Sequence, residues 1–275
     1  MTPPTGETGI AMNDQHEFVE YSREGNVAEI VLNRPDKLNA ISDDVAAQLS
    51  DAFNQFDLDD EAFVCILSGR GRAFSAGADV QQRQLRPKEE AARLGGLSSK
   101  EGNISRVLTG TVNHKPVIAA VHGYVLGMAL GLTLECELVV ADETARFQIT
   151  EVGRGLGGTR YVALMQYRGA GTLAAEVGMT GRFFTAAEAA AGGLINVVVP
   201  AGGHLDEARR LAAEVVKNPP LSARATVRFR RGEIEQIKRA ADFATAPLKL
   251  HLTEDFQESA RAFAEKRPVG PFRGR

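Results

Sequence analysis

The chain of 275 residues contains only two cysteines, Cys65 and Cys136, and each lies within an apolar stretch. Two isolated cysteines argue against the disulfide framework that small secreted proteins use. Buried, unpaired thiols are instead typical of proteins in a reducing compartment. We therefore expect a cytoplasmic protein.

The sequence also lacks an excess of charge of either sign. Its 32 basic and 35 acidic side chains give a formal net charge of −3 at pH 7, and the two signs are interspersed along the chain. A surface that binds nucleic acid needs concentrated positive charge, so we expect no nucleic-acid partner. The charge balance favours small-molecule or protein partners.

No apolar run is long enough to predict a membrane span. The most apolar region, residues 117–140, is interrupted by His122, by three glycines and by two glutamates, so we expect no membrane partner. Residues 1–17 lack the basic and then apolar order of a signal peptide and are rich in Pro, Gly, Thr and acidic residues. We interpret residues 1–17 as a disordered leader.

Strand and helix patterns alternate from residue 18 to residue 200. Residues 26–35 alternate apolar and polar side chains as a half-buried strand does, and the apolar run at 63–69 predicts a buried strand. Ser42 is a suitable N-cap for a helix that follows, and Thr185 with Glu188 has the spacing of a capping box. We therefore predict an α/β core over residues 18–200.

The pattern changes after residue 200. Residues 205–241 and 254–267 have the character of helices, and no further strand is predicted. We assign residues 201–275 to a separate helical region. Residues 81–113 are polar and weakly periodic, which predicts a mobile segment within the core.

Two glycine-containing segments at the ends of predicted strands are candidates for a ligand-binding site. SAGADV (75–80) follows one strand, and GYVLGMALG (123–131) follows another and runs into a predicted helix. Gly77 permits an unusual backbone angle, and the first amides of a helix attract negative charge. Two such strand ends would direct two N–H groups at one oxygen. Glycine-rich turns are also common as plain connections, so the pattern alone leaves both interpretations open.

Six longer segments, in this order along the chain, carry a family resemblance. They are VAEIVLNRPDKLNAIS (27–42), GRAFSAGADV (71–80), KPVIAAVHGYVLGMAL (115–130), FQITEVG (147–153), FFTAAEAAAGGLINVVVP (183–200) and EDFQESARAFAEKRPVGPFRGR (254–275). Together they resemble the signatures of the enoyl-CoA hydratase/isomerase, or crotonase, superfamily over nearly the whole chain after Phe18. The resemblance implies a spiral of ββα repeats with a C-terminal helical trimerisation region. It also implies a homotrimer or a dimer of trimers.

The resemblance further implies an acyl-CoA thioester as substrate. The sequence has no His, Cys and carboxylate cluster at ligand spacing and no phosphate-binding loop motif, so we expect no metal and no cofactor beyond the coenzyme A of the substrate. Two backbone amides, matched here by Ala78 and Met128, would bind the thioester oxygen as negative charge develops on it. Glu151 matches the second of the two glutamates that hydratases of the family use. Gly131 stands where the first would be, so the resemblance is to single-glutamate branches of the superfamily.

Further contacts to the substrate or its CoA are implied by the same match. The positions within the core are Lys37, Leu38, Arg72, Phe74, Ala76, Tyr124, Gly127 and Gly131, and those near the C terminus are Phe263 and Lys266. The C-terminal pair resembles family residues that reach the CoA of a neighbouring subunit, and an ordinary amphipathic helix explains it equally well. Asp79 is expected to anchor its loop rather than to act as a base.

Several residues are candidates to replace the acid that Gly131 cannot supply. Glu135 lies about 5.4 Å further along the predicted helix, so we expect it to pair with a base such as Arg146 or Arg154, or to reach solvent. His122 borders the glycine turn, and for it we expect a structural role. Arg160 and Tyr161 follow Glu151 closely enough in sequence to line the same pocket.

The principal hypothesis from the sequence is an enoyl-CoA hydratase/isomerase of fatty acid metabolism in which Glu151 is the only protein acid/base. A glutamate in a partly apolar pocket exchanges protons near neutral pH. The enzymatic alternatives are a C–C lyase, a thioester hydrolase and a decarboxylase, each of which would use the same pair of amides. A catalytically silent scaffold that binds acyl-CoA or RNA is the non-enzymatic alternative.

Overall fold

The computed structural model describes residues 18–83, 85, 87, 89–90 and 106–275. The predicted leader, residues 1–17, lies outside the described residues. Residues 84, 86, 88 and 91–105 of the predicted mobile segment at 81–113 lie outside them as well. The predictions for the leader and for the mobile segment therefore stay predictions.

Strands and helices alternate along the described chain before helices take over. The strands are β1 (Val19–Glu24), β2 (Val27–Leu32), β3 (Val64–Gly69), β4 (Val117–Val121), β5 (Tyr124–Leu126), β6 (Leu138–Asp142), β7 (Arg146–Gln148), β8 (Phe184–Thr185) and β9 (Val197–Val199). The helices are α1 (Asp43–Leu58), α2 (Val80–Arg83), α3 (Met128–Glu135), α4 (Thr159–Tyr167), α5 (Gly171–Thr180), α6 (Ala186–Ala191), α7 (His204–Val216), α8 (Pro220–Thr245) and α9 (Glu254–Ala264). Short 3₁₀ turns are formed by Pro35–Lys37, Val152–Arg154, Ala246–Leu248 and Leu250–Leu252.

Both helix starts that the sequence predicted are confirmed. Ser42 Oγ accepts a hydrogen bond from the Val45 amide at 3.2 Å. At α6, Thr185 Oγ1 accepts from the Glu188 amide at 3.2 Å, and Glu188 Oε2 accepts from the Thr185 amide at 2.8 Å. These bonds satisfy amides that the first turn of a helix leaves without a carbonyl partner.

The described strands form two sheets, and the chain winds between them. The larger sheet has the order β1-β2-β3-β4-β6-β9, with β1 antiparallel to β2 and the other neighbours parallel, and the smaller has the order β5-β7-β8. Strands β4 and β5 follow each other closely in sequence but lie in different sheets, as do β6 and β7. Helix α3 follows the first pair and α4 the second, which gives a repeated ββα unit.

The two faces of the larger sheet are buried against different partners. One face packs in the main core with α1, and the other packs on α7 through Ala208 and Ala212. Because successive side chains of a strand point to opposite faces, strands covered on both faces are mostly apolar, as β4 and the first four residues of β3 are. Helix α7 follows residue 200, yet it packs directly on the core sheet.

A buried arginine attaches the long helix α8 to the core. Arg231 is 2% exposed and donates to Leu108 O at 3.1 Å and Lys115 O at 2.7 Å. It also forms an ion pair with Glu137 at 3.0 Å. Several partners are needed because a buried guanidinium without them would be costly.

Along the described residues, no helix combines the length and the apolar character that a membrane span requires.

Candidate active site

Two segments that are distant in sequence meet at the start of α3. The Ser75 amide donates to Tyr124 O at 3.0 Å, and the Leu126 amide donates to Ser75 O at 3.1 Å, so the segment after β3 runs beside β5. A methyl group on Gly77, whose φ is +82°, would lie 2.4 Å from Leu126 O and 3.5 Å from Met128 N. Glycine is required here because any side chain would separate the two backbones.

The two amides that the sequence matched to a thioester-binding pair lie in these adjacent segments. The Gly77 amide donates to Ser75 Oγ and the Asp79 amide to Ile41 O, whereas the amide of Ala78 between them donates to no acceptor among the described residues. Met128 is the first residue of α3, so its amide lies at the positive end of the helix dipole. This arrangement suits binding of a negatively charged oxygen.

The carboxyl group of Glu151 lies at the same end of α3. A methyl group on Gly127, which has a φ of +50°, would lie 2.8 Å from Glu151 Oε1 and 2.7 Å from Thr150 Oγ1. The Gly127 amide donates to Gln148 O at 2.9 Å, which ties the segment that carries Glu151 to the start of the helix. Because Gly127 directly precedes Met128, the structure brings the three residues predicted to be catalytic together.

The surroundings of Glu151 favour its neutral form more than water does. Desolvation raises the pKa of Glu151 and is the largest effect on it. Hydrogen bonds from its own amide and from Thr150, the charge of Arg154 and the hydroxyl of Tyr161 lower the pKa and oppose this rise. A carboxyl group with a raised pKa exchanges protons closer to neutral pH than an exposed glutamate does.

An aromatic ring occupies the space beside Gly131, where a first glutamate would begin. A methyl group on Gly131 would lie 2.4 Å from Tyr161 Cε1 and 2.9 Å from Cδ1. Tyr161 belongs to α4, and its hydroxyl lowers the pKa of the Glu151 carboxyl, so the two groups lie close enough to interact. The sequence placed Tyr161 near this pocket but did not indicate its contact with Gly131.

The structure excludes Glu135 as a free acid for the site. Its carboxylate accepts from Lys238 Nζ at 2.7 Å, and the two side chains are 7% and 6% exposed. Glu135 therefore pairs with a basic side chain, as expected, but the named candidates Arg146 and Arg154 are wrong because the partner is Lys238. Glu135 ends α3 on the side that packs against α8, and its partner lies 103 residues later in the sequence.

Removing one member of this buried ion pair should strongly destabilise the fold. We expect Lys238→Met to lower the free energy of unfolding by about 3–5 kcal/mol, because it leaves the Glu135 carboxylate buried without its cation. Urea denaturation at pH 7 measures the loss. The double variant Glu135→Leu with Lys238→Met should recover most of it, since no charge is then buried. A double variant as unstable as Lys238→Met would show that the loss does not come from an uncompensated charge.

His122 and Tyr124 lie in different surroundings near the glycine turn. The ring of His122 stacks on His204 with 4.5 Å between ring centres, and its Nε2 lies 2.9 Å from Gly71 O. These contacts agree with the structural role expected for His122. Tyr124 is 44% exposed, and its ring pairs with that of Phe183 at 6.2 Å. It lines a surface cavity of about 500 Å³ together with Gly123, Glu143, Thr144 and Arg146.

The residues matched to CoA contacts between Lys37 and Ala76 lie on two adjoining segments at one edge of the site. The Ala76 amide donates to Leu38 O at 2.8 Å, which joins the two segments. Lys37, at the end of its 3₁₀ turn, and Arg72 are both exposed. The side chain of Phe74 is fully buried in the core. Its amide donates to His122 O at 2.8 Å, so the structure does not support the contact between Phe74 and CoA that the sequence predicted.

The C-terminal pair lies at the end of α9. The guanidinium carbon of Arg154 lies 4.0 Å from the centre of the Phe263 ring, so α9 reaches the pocket wall beside Glu151 within the same chain. Phe263 is 54% exposed, and Lys266 is exposed with a φ of +53°. Both side chains remain accessible to a further contact.

Asn39 has a structural role at the site that the sequence did not indicate. It is 1% exposed, its Nδ2 donates to Arg70 O and Ala73 O at 2.9 Å each, and its Oδ1 accepts from the Arg34 amide at 2.8 Å. These bonds tie the loop before α1 to the segment after β3. Its φ of +53° is a conformation that asparagine tolerates. Asp79 pairs with Arg34 at 2.8 Å and anchors its loop, as expected.

Both cysteines are buried and unpaired, as the sequence predicted. Desolvation raises the pKa of Cys136 to about 12 and raises the pKa of Cys65 as well. Both thiols are therefore protonated at neutral pH.

In the part of the chain that the structure describes, no group of three or more His, Cys, Asp or Glu side chains is arranged to hold a metal ion.

Residues 22–274 match the family model described as enoyl-CoA hydratase/isomerase. The chain is 35% identical over 252 residues to the enoyl-CoA hydratase EchA19 of Mycobacterium tuberculosis, with 89% of this chain and 92% of the relative covered. It is 31% identical over 264 residues to the short-chain-enoyl-CoA hydratase of Clostridium acetobutylicum, with 94% and 98% covered. A solved structure of a carnitinyl-CoA dehydratase from Mycobacterium avium matches with a TM-score of 0.75 at 35% identity, covering 93% of this chain and 99% of the other.

These matches and the ββα winding define an α/β enzyme with the crotonase fold, as the sequence motifs predicted. The chain belongs to the enoyl-CoA hydratase/isomerase family. Membership favours an enzyme over the catalytically silent scaffold that the sequence left as an alternative.

Proposed function

We propose that this enzyme transforms an enoyl-CoA thioester with Glu151 as its single protein acid/base. The thioester oxygen accepts hydrogen bonds from the amides of Ala78 and Met128, which stabilise the enolate as its charge develops. The observation that carries this proposal is the Glu151 carboxyl beside Gly127, one residue before the Met128 amide. A proton carrier and two donors to the oxygen are thereby close to one bound thioester.

One carboxyl group is enough for either reaction of the family. In double-bond migration, the Glu151 carboxylate removes a proton from the carbon chain, the electron pair moves to the thioester oxygen, and the carboxyl returns the proton two carbons away. In hydration, Glu151 takes a proton from water as the water oxygen bonds to the β-carbon, and it then gives this proton to the α-carbon. Both reactions pass through the enolate that the amides of Ala78 and Met128 would stabilise.

The coenzyme A of the substrate is the only cofactor in this proposal. Its anionic phosphates would lie near the exposed cations Lys37 and Arg72, at the edge where Leu38 O bonds to the Ala76 amide. Ammonium and guanidinium groups both bind phosphate, the guanidinium through two donors at once. This arrangement supports a CoA path that leads from the surface to the Ala78 amide.

We also propose that the protein forms a homotrimer, either alone or stacked as a dimer of trimers. Helix α8 exposes large apolar side chains, with Leu221, Phe229 and Phe243 at 74%, 71% and 86% exposure. Large exposed apolar groups that cluster on one element are typical of subunit interfaces. Light scattering after size exclusion should give three or six chain masses, and a monomer would contradict the proposal.

The unpaired thiols support a cytoplasmic location.

The reaction is tested by incubating the purified protein with a mixed panel of acyl-CoA thioesters in heavy-oxygen water, followed by mass spectrometry. Hydration adds heavy water to an enoyl-CoA, and isomerisation gives a chromatographically distinct product of unchanged mass. Release of free CoA, loss of carbon dioxide or cleavage of the acyl chain would instead assign a hydrolase, a decarboxylase or a C–C lyase. A panel that stays unchanged would contradict the proposed function.

A further inference from the structure

Two glycines at the start of α3, the N-cap Gly127 and Gly131 within the helix, create a shallow face, and the structure fills that face with two polar side chains. Gly127 and Gly131 are one helical turn apart, and the Gly131 amide donates to Gly127 O at 3.0 Å. The Glu151 carboxyl lies over Gly127, and the Tyr161 ring lies over Gly131. A side chain at either glycine would collide with the group above it. The carboxyl and the phenol are therefore neighbours on the same face of one helix.

The phenol of Tyr161 is suited to donate a hydrogen bond to this carboxylate. Desolvation raises the pKa of Tyr161 well above its usual value, and the charge of Glu151 raises it further. The hydroxyl therefore keeps its proton at every pH at which the enzyme would operate. A neutral phenol that donates to a carboxylate favours its ionised form, because a hydrogen bond to a charged acceptor is stronger than one to a neutral carboxyl.

We propose that Tyr161 is a positioning residue for Glu151, and that its phenol takes over from the side chain that Gly131 lacks. It orients the Glu151 carboxylate along the glycine face of α3 and favours the ionised, proton-accepting form. This inference rests on the proposed role of Glu151 as acid/base. It explains how the site can lack a carboxyl group at position 131.

Other groups near Glu151 and Tyr161 affect the pKa of Glu151 whether or not the Tyr161 hydroxyl is present. Arg154 favours the ionised form of Glu151 from the turn that follows it, and the Thr150 hydroxyl donates to Glu151 Oε2 at 3.3 Å. Arg160 and Glu135 act on Tyr161 in opposite directions. Removal of the Tyr161 hydroxyl alone therefore changes one contribution to the pKa of Glu151 and leaves the charged groups in place.

The test is the pH profile of kcat/KM for Tyr161→Phe, which keeps the ring over Gly131. Loss of a donor to a carboxylate raises the pKa of the acid, so the acidic limb should move to higher pH by about one unit. Activity below the limb should fall about tenfold, whereas activity well above it should change little. KM should change less than kcat, because the phenol acts through Glu151 and not on the CoA.

The outcomes separate this inference from the proposed function. If Glu151→Gln is inactive but the limb of Tyr161→Phe stays where it is in the wild type, Tyr161 only fills space and the inference is wrong. If Glu151→Gln keeps wild-type activity, the proposed function itself fails. A limb that moves to lower pH would also overturn the inference, since it would mean that the hydroxyl favours the neutral carboxyl.

A second test examines the contact between the ring and Gly131. Gly131→Ala should lower the melting temperature by several degrees, because its methyl group would lie 2.4 Å from Tyr161 Cε1. In a Tyr161→Ala background the same substitution should cost little. Equal losses in the two backgrounds would show that the ring does not occupy the position of a side chain at 131.

Discussion

Replacing Glu151 with glutamine should lower kcat by about a thousandfold or more, because glutamine keeps the size of the side chain but cannot carry the proton. Binding of CoA should remain nearly unchanged, since the residues proposed to contact CoA lie on other segments. Single-turnover assays with an enoyl-CoA measure the first effect, and calorimetry with CoA measures the second.

The matched control for this substitution is Glu24→Gln. Glu24 is an exposed glutamate at the end of β1, and it undergoes the same change of carboxylate to amide away from the pocket. Its kcat should equal that of the wild type. If Glu151→Gln were as active as this control, Glu151 would have no part in the proton transfer.

The second large effect is expected from Gly77→Ala, which should lower kcat by about a hundredfold or more. The added methyl group would lie 2.4 Å from Leu126 O and 3.5 Å from Met128 N, so the backbones that carry the two amides must move apart. Two donors that no longer converge cannot stabilise one oxygen. Steady-state kinetics on an enoyl-CoA measures the loss.

Gly202→Ala is the control that distinguishes displacement of the two amides from ordinary backbone strain. The φ of Gly202 is +83°, against +82° at Gly77, and a methyl group on Gly202 meets nothing within 4 Å. Each substitution should cost about 1–2 kcal/mol of stability from the left-handed conformation alone. Only Gly77→Ala should also lose activity, and equal kcat values for the two variants would contradict the role of the Gly77 contact.

The local features of the fold were predictable from the sequence because they depend on neighbouring residues. The Ser42 cap and the Thr185–Glu188 capping box each join positions three residues apart, and the structure contains both. The buried strand at β3 followed from an uninterrupted apolar run. The motifs also gave the family, and with it the pairing of SAGADV with the start of α3.

Contacts between distant segments were not predictable in the same way. The partner of Glu135 is Lys238, and nothing near Glu135 in sequence indicates that choice. The packing of α7 on the core sheet likewise depends on small residues, Ala208 and Ala212, that are common in any helix. Only the three-dimensional structure shows which side chains from distant parts of the sequence contact each other.

Tyr161 is the clearest case of a residue whose proposed role could be inferred only from the structure. The sequence showed that Gly131 cannot supply an acid, and it placed Tyr161 close to Glu151. The spacing of Gly127 and Gly131 was the available signal, because two glycines one turn apart on a helix allow other groups to approach closely. The identity of those groups, a carboxyl and a phenol, is a tertiary property.

The proposed reaction requires two backbone amides and one carboxyl group to converge on a single thioester. A crystal structure of Glu151→Gln with a bound enoyl-CoA shows whether they do. We predict that the thioester oxygen lies about 2.7–3.1 Å from both the Ala78 and Met128 nitrogens, with the side chain at 151 beside the acyl chain. A thioester oxygen bound by other groups, or an acyl chain that lies away from residue 151, would contradict the proposed site.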